Sequence, residues 1–294
     1  MRSLKHIFNE DSLIKHCPAE MKSRSAKVIG TIAKYSRTGK RLLKQARKDG
    51  YKLMMVSGSG WAGQVDADRK LIVLNACESD ERLIETLVHE CRHVQQFSRG
   101  VEYGCGMYNI KDAVRLHRCK EADAEALTAA VCHEIRVSSG SESAWKAFAA
   151  GRPFVAAGLE KEALKQKDPA VTPIMLRAAF DGWYADERVV RFYEENYIEK
   201  GILTECFGQK EKLKTYFHKK TTSQRIVSMV CSDNNGDCYW NVNPFVLNER
   251  SRLLVNQSTV LRAEKVLTGI EKMTGVKQNH SYRDLPLRQA RVYQ

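Results

Sequence analysis

The segment Ser79–Gly100, "SDERLIETLVHECRHVQQFSRG", predicts an amphipathic helix on which the interpretation of the whole chain depends. Ser79 is a suitable N-cap, the two acidic residues after it favour the positive end of the helix dipole, and Gly100 favours a stop. Apolar residues recur at helical spacing and form a single stripe: Leu83, Ile84, Leu87, Val88, Cys91 and Val94. We therefore expect this helix to pack the stripe against the body of the protein.

The same helix carries the pattern His89-Glu90-x-x-His93 away from the apolar stripe. At about 100° of rotation per residue, the two histidines project only about 40° apart, so both imidazoles can reach one metal ion. Glu90 lies about 100° round from His89, where its carboxylate can reach a water on that ion without having to bind the ion itself. The pattern therefore predicts a metal site with Glu90 as its general base.

The segments on either side of this helix predict a mainly helical α+β fold. A strand over residues 51–58 and a hairpin over residues 61–75 come before the helix, and we expect them to form a small antiparallel sheet packed on it. We expect Lys70–Asn75 to be an edge strand, to which an extended peptide could add as a further strand. A second long helix is predicted over Ile110–Val137.

The third ligand of a zinc site would have to come from outside the first helix. Catalytic zinc normally has three protein ligands and one open position. The metzincin pattern would place the third ligand six residues after His93, where this chain has Arg99, and would place glycine where it has Gln96. The sequence therefore excludes the metzincin class. Further along, Glu121 and Glu125 are four residues apart, and hence on one face of the second predicted helix.

With His89-Glu90-x-x-His93 followed by Glu121-Ala-Asp-Ala-Glu125, the chain resembles the gluzincin-type zinc metallopeptidases over roughly residues 50–200. It is particularly similar to a group of bacterial proteins described only as putative metallopeptidase domains. The resemblance implies a zincin-like core with two antiparallel helices, Zn²⁺ bound by His89, His93 and Glu121, and Glu90 as the catalytic acid and base. It also implies that Glu125 orients a ligand histidine, and that the substrate is a peptide or protein.

Three other residues compete for roles at this site. Asp123 or Glu125 could replace Glu121 as the third ligand if the second helix were shifted in register. His117 lies four residues before Glu121 on the same predicted face, so it could be a rival ligand or a group that hydrogen-bonds a ligand.

The charge of the chain suggests a second kind of partner. The 294 residues carry a formal net charge of +13, which favours an anionic partner such as nucleic acid or an acidic protein. A nucleic-acid-associated protein, or a helical protein-interaction module, with a structural or degenerate metal site is therefore the alternative function. We divide the chain into a basic helical extension at residues 1–50, a zincin-like metallopeptidase domain at 51–203 and a basic C-terminal region of unassigned role at 204–294.

The sequence predicts a cytoplasmic protein with no transmembrane segment. No stretch approaches the ~20 apolar residues that cross a bilayer, and charges interrupt the N-terminal segment where a signal peptide would be apolar. The nine cysteines include no Cys-x-x-Cys pair, so we expect them to be small buried hydrophobes in a reducing compartment. A disulfide between Cys231 and Cys238 is the alternative.

Overall fold

The helix predicted from Ser79 is present in the computed structural model as α3, Asp80–Ser98. The structure describes residues 19–58, 60–101, 107–203 and 212–289. Ser79 is the N-cap, and its Oγ accepts a hydrogen bond from the backbone N–H of Arg82 at 3.3 Å. All six residues of the apolar stripe are buried, so the predicted packing face of α3 is confirmed.

The described chain is mainly helical with one small sheet, which agrees with the predicted α+β class. The strands are β1 (Lys52–Val56), β2 (Gly63–Asp66) and β3 (Leu71–Asn75). The other helices are α1 (Ala19–Tyr35), α2 (Arg37–Lys48), α4 (Ile110–Ser139), α5 (Ser143–Gly151), α6 (Pro153–Ala163), α7 (Pro173–Ala185), α8 (Glu187–Tyr193), α9 (Ser223–Val230), α10 (Arg250–Leu253) and α11 (Gln257–Thr274). A π-helical segment, Glu194–Ile202, continues α8, and short 3₁₀ turns occupy Pro244–Asn248 and Ser281–Asp284.

These elements belong to two compact units. Among the described residues, the first unit takes in the ranges 19–101, 122–183 and 233–239, and the second takes in 107–121, 184–232 and 240–289. The boundary falls inside α4, between Glu121 and Ala122, and the helix is continuous across it. The functional division predicted at residues 50 and 203 stays a prediction.

The sheet of the first unit is mixed, and the predicted antiparallel sheet is wrong in one pairing. The hairpin β2–β3 is antiparallel as predicted, but β1 pairs with β3 in parallel, so the strand order is β1-β3-β2. The strand β3 is therefore central, and the prediction that Lys70–Asn75 is an edge strand is also wrong. Its run of four apolar residues, Leu71 to Leu74, is typical of a central strand that is covered on both faces.

The strand β2 lies against α3 at a glycine. A Cβ added at Gly63 would clash with the methyl carbon of Thr86 and come within 3.0 Å of the carbonyl oxygen of Val73. A side chain at residue 63 would therefore push the strand away from the helix. This close approach places an edge strand of the sheet directly beside the helix that carries His89 and His93.

Polar contacts fix α1 and α2 to the rest of the first unit. Arg24 of α1 pairs with Asp80, the first residue of α3, at 2.7 Å. At the start of α2, the hydroxyl of Thr38 donates to Glu134 of α4 at 2.8 Å, and the backbone N–H of Thr38 donates to the same carboxylate at 3.0 Å. The carboxylate of Glu134 thus satisfies donors at the start of α2 that the helix itself cannot pair.

The second unit is organised around the buried carboxylate of Glu194. It accepts hydrogen bonds from Arg118 and Arg288, both at 3.1 Å, from the backbone N–H of Asn256 at 2.6 Å, and from the Thr259 hydroxyl at 2.5 Å. Burial lowers the pKa of Arg118 to about 10, and the adjacent Glu194 opposes that shift. The arginine is therefore still charged at neutral pH, and its charge is compensated by Glu194.

The structure also bears on the predictions about membrane-spanning helices and about the cysteines. Among the described residues, no helix has both the length and the apolar character needed to cross a membrane. Cys91, Cys119, Cys132 and Cys231 are buried free thiols, as expected for small hydrophobes, but Cys77 is exposed, against that expectation. Cys238 is an exposed free thiol, so the alternative disulfide with Cys231 is not formed.

Candidate metal centre

Two histidines of α3 bring their ring nitrogens together on one face of the helix. The Nε2 atoms of His89 and His93 lie 3.0 Å apart, and the two rings meet edge to face. His93 is buried, and the side chain of His89 is 14% exposed, so the pair has little contact with solvent. The four-residue spacing places both rings on this face because four residues complete little more than one helical turn.

A carboxylate from α4 completes a group of three. His89, His93 and Glu121 each offer one ligand atom, and these three atoms lie within 4.8 Å of one another. Glu121 is buried, and its Oε1 lies 3.3 Å from the ammonium of Lys120. Among the residues that the structure describes, this is the group of three or more His, Cys, Asp or Glu side chains able to hold a metal ion.

The hydrogen bonds of His93 determine which of its nitrogens is protonated. The amide nitrogen of Gln96 donates to Asp123 at 2.6 Å, which leaves the amide oxygen facing Nδ1 of His93 at 2.8 Å. An oxygen can only accept, so Nδ1 must be the nitrogen that carries the hydrogen. The lone pair of Nε2 is then directed at the neighbouring histidine, which is the tautomer that a metal ligand requires.

The carboxylate of Glu125 lies near Nδ1 of His89, as the amide oxygen of Gln96 lies near Nδ1 of His93. Its Oε1 lies 3.8 Å from Nδ1 of His89 and accepts a hydrogen bond from Nε of Arg152 at 2.7 Å. A negative charge on this side favours a proton on Nδ1 and leaves the Nε2 lone pair facing His93. Arg152 holds the carboxylate in place from the other side.

Asp123 lies at the centre of a buried network behind the histidines. It pairs with Arg92 through two hydrogen bonds of 2.6 and 3.0 Å, and it also accepts from Gln96 and, at 2.8 Å, from the hydroxyl of Tyr239. Its side chain is 0% exposed. These hydrogen bonds tie Asp123 to two residues of α3 and to Tyr239. The group of three potential ligands includes neither Asp123 nor Glu125.

The contacts between α3 and α4 join the histidine side of α3 to one short stretch of α4. Gln96 contacts Asp123, and His89 faces Glu125. The antiparallel direction of the two helices and the zincin-like core as a whole stay predictions.

The remaining two predicted residues are Glu90 and His117. Glu90 is buried on α3 with 7% of its surface exposed. His117 is buried one turn before Glu121, and its ring lies 5.2 Å from that of Tyr197 and 6.0 Å from that of Tyr193. His117 is not in the group with His89 and His93. Its ring packs against aromatic rings instead.

Sequence reasoning missed four polar residues that surround the two histidines: Glu85, Arg92, Gln96 and Arg152. Burial raises the pKa of the Glu85 carboxyl to about 7, and the nearby charge of Glu125 adds to this, while Arg82 and Arg152 oppose it. One signal was available for three of the four. Glu85, Arg92 and Gln96 are polar residues that share the histidine side of this amphipathic helix, at spacings of three and four residues.

The chemistry of the two histidines fits a bound cation. If both Nδ1 atoms carry hydrogens, two lone pairs face each other across 3.0 Å, which is unfavourable unless a cation or proton lies between them. Two nitrogens bound to one tetrahedral Zn²⁺ at ~2.0–2.1 Å would be about 3.3 Å apart. The observed separation is close to that value, and a buried carboxylate supplies the compensating negative charge.

Comparison with protein families gives a match over most of the chain. The model of a family described as "Putative metallopeptidase family (DUF6782)" matches residues 11–240. The chain belongs to this family. Membership of a metallopeptidase family implies a metal ion, and the His89, His93 and Glu121 group is the candidate to hold it. Searches of curated proteins and of solved structures gave no match.

The family assignment bears on the rival functions as well. It supports the metallopeptidase interpretation at the level of the family, and it gives no support to a nucleic-acid-associated protein or a helical interaction module. An anionic partner and a cytoplasmic location both stay predictions.

Proposed function

We propose that the protein is a zinc-dependent metallopeptidase in which His89, His93 and Glu121 bind the metal and Glu90 is the general base and acid. The observation that carries the proposal is the 3.0 Å approach of the two Nε2 atoms beside a buried carboxylate, in a member of a metallopeptidase family. Two imidazoles and one carboxylate are three ligands, which leaves a fourth position open for catalysis.

The choice of zinc rests on the donor atoms. Imidazole nitrogens suit Zn²⁺ and other first-row transition ions, whereas Ca²⁺ and Mg²⁺ prefer sites made of oxygen atoms. Zinc is commonly bound in catalytic sites by two histidines and one glutamate. The side chains of Gln96 and Glu125 support this choice, because each lies beside the Nδ1 atom of one histidine and leaves Nε2 available.

Bound zinc would lower the pKa of a coordinated water toward ~7 and polarise the peptide carbonyl group. The carboxylate of Glu90 accepts a proton from the attacking water and then returns it to the amine that leaves when the peptide bond breaks. Its position next to His89 on α3 keeps it beside the metal ligands, and its burial limits the number of competing waters.

The substrate proposed is an extended peptide that pairs with the edge of the sheet. Because β3 is central, we assign this role to β2, the outer strand of the order β1-β3-β2 that lies against α3 at Gly63 and Thr86. Backbone hydrogen bonds to β2 would hold the peptide without dependence on its side chains. Substrate preference would then come from the side chains around the metal ligands.

Metal content of matched variants tests the proposal. The wild-type protein, purified and then dialysed against Zn²⁺, should retain about one zinc per chain, and His93→Ala and Glu121→Ala should retain much less. Glu125→Ala should keep the ion with reduced affinity, and Glu142→Ala, at an exposed position before α5, is the matched control. A peptide library analysed by mass spectrometry should show cleavage by the wild type only when zinc is bound. Full zinc occupancy in Glu121→Ala would remove Glu121 from the ligand set.

A further inference from the structure

A polar cavity lies in the second unit, at the start of α4. Its volume is about 490 Å³, which is in the size range of small-molecule sites. The lining contains three cations and one carboxylate, and the other residues are amides, a serine and a leucine: Asn109, Lys111, Asp112, Arg115, Lys220, Asn248, Leu253, Asn279 and Ser281. The excess of positive charge is the first indication of the ligand.

The acceptor groups of this cavity are already used by the protein. The carboxylate of Asp112 accepts from Arg115 at 2.5 Å, from the Asn109 amide at 2.7 Å and from the backbone N–H of Thr221 at 2.9 Å. The amide oxygen of Asn109 accepts from the backbone N–H of Asp112 and from the hydroxyl of Ser281 at 2.9 Å. A ligand that needs hydrogen-bond acceptors from the wall would find few of them.

The donors, in contrast, remain available. Lys220 is exposed, and Lys111 has only a distant partner in Asp284, at 4.0 Å. Asn248 accepts from Arg115 and Asn279 accepts from the backbone N–H of Ser281, in each case through the amide oxygen, so both NH₂ groups can donate to a ligand.

A buried arginine supplies an independent observation. The Arg115 side chain is only 9% exposed, and its two terminal nitrogens are held by four groups, among them Asp112 and the carbonyl oxygen of Thr221 at 2.6 Å. Its Nε is buried and has no hydrogen-bond partner among the described residues. Because Arg115 also lines the cavity, its guanidinium brings a buried and incompletely paired positive charge to the cavity wall.

We propose that this cavity binds a small molecule through a phosphate group. Lys111, Lys220 and Arg115 supply the positive charge, the amides of Asn248 and Asn279 supply donors, and the first turn of α4 adds the positive end of a 30-residue helix. The concave shape and the volume favour a phosphorylated small molecule over a nucleic-acid strand. The inference does not depend on the proposed peptidase activity.

Direct binding to the full-length protein tests this site. Isothermal titration with inorganic phosphate, ADP and adenosine should show that phosphate and ADP bind, with affinity that falls as salt is raised, and that adenosine does not. The double variant Lys111→Gln with Lys220→Gln should bind ADP at least 10-fold more weakly. Lys265→Gln with Lys272→Gln, which removes two exposed charges of α11 outside the cavity, should stay within twofold of the wild type.

Four results would overturn the proposal. Phosphate and ADP could fail to bind at millimolar concentration, the two double variants could lose affinity equally, or adenosine could bind as well as ADP. Binding of a single-stranded oligonucleotide in place of the small molecules would also contradict it. His93→Ala separates this site from the metal centre, because the variant should lose zinc and keep its affinity for ADP.

Discussion

The amide nitrogen of Gln96 lies 2.6 Å from a carboxylate oxygen of Asp123, and this hydrogen bond determines the protonation of a third residue. With the amide oriented by Asp123, its oxygen faces His93 and requires a hydrogen on Nδ1. The buried pair of Asp123 and Arg92 fixes the carboxylate in turn. A chain of contacts therefore leads from a buried ion pair to the nitrogen that would bind the metal.

Replacing Gln96 with leucine should weaken metal binding without removing a ligand. The variant loses the acceptor for Nδ1 of His93, and loss of such a partner typically reduces metal affinity by about 10- to 100-fold. Competition with a chromogenic zinc chelator measures the change. Gln45→Leu is the matched control, because it also breaks a glutamine–aspartate hydrogen bond, 2.7 Å to Asp49, on a helix away from the site. Equal affinity in Gln96→Leu and the wild type would contradict the tautomer argument.

Glu90→Gln should retain zinc and lose turnover. Glutamine keeps the size of the side chain but cannot accept the proton from water, so kcat should fall by about 10²- to 10⁴-fold. Metal content by elemental analysis and cleavage of the best peptide from the library give the two readings. Unchanged cleavage by this variant would remove Glu90 from the mechanism, and loss of zinc would show that it acts on the ligands.

Asp123→Ala should destabilise the first unit by about 3–5 kcal/mol, because it leaves the buried charge of Arg92 without its partner. Asp181→Ala, which breaks the partly exposed pair with Arg177, should cost about 1 kcal/mol or less. Urea denaturation of both variants in the presence of a chelator compares them without any contribution from bound metal. Equal losses of unfolding free energy in the two variants would show that the buried pair of Asp123 stabilises the protein no more than the partly exposed pair.

The pKa of Glu85 predicts a pH-dependent difference in stability. Burial raises this pKa from an ordinary 4.5 to about 7, so the folded protein keeps the proton over a pH range in which the unfolded chain has lost it. The contribution of Glu85 to stability is therefore complete below about pH 4.5 and is lost as the pH rises to about 7. Glu85→Gln, which stays neutral, should gain on the order of 3 kcal/mol relative to the wild type between pH 4.5 and pH 8.

Thermal unfolding of metal-free protein at several pH values checks this prediction. The difference in Tm between Glu85→Gln and the wild type should grow from pH 4.5 to pH 7 and then remain constant. Glu142→Gln reports the effect of removing an exposed carboxylate over the same range. A difference that does not vary with pH would show that Glu85 is not protonated in the folded state.

The sequence alone predicted the features of the candidate metal centre that depend on local geometry. The limits of α3 follow from its N-cap at Ser79 and the residues after it, and the proximity of His89 and His93 follows from helical periodicity. The approach of Glu121 to the histidines needed a resemblance as well, because no local rule places a residue of a second helix beside the first.

Only the tertiary structure decided which side chains support that centre and how the sheet is ordered. The contacts of Gln96 with Asp123 and of Glu125 with Arg152 join residues 27 positions apart. In the sheet, β1 pairs with β3 although β2 lies between them in the sequence. The phosphate cavity likewise joins the start of α4 to residues more than 100 positions later. Such contacts depend on the packing of whole elements, so the periodicity and capping of any single segment do not contain them.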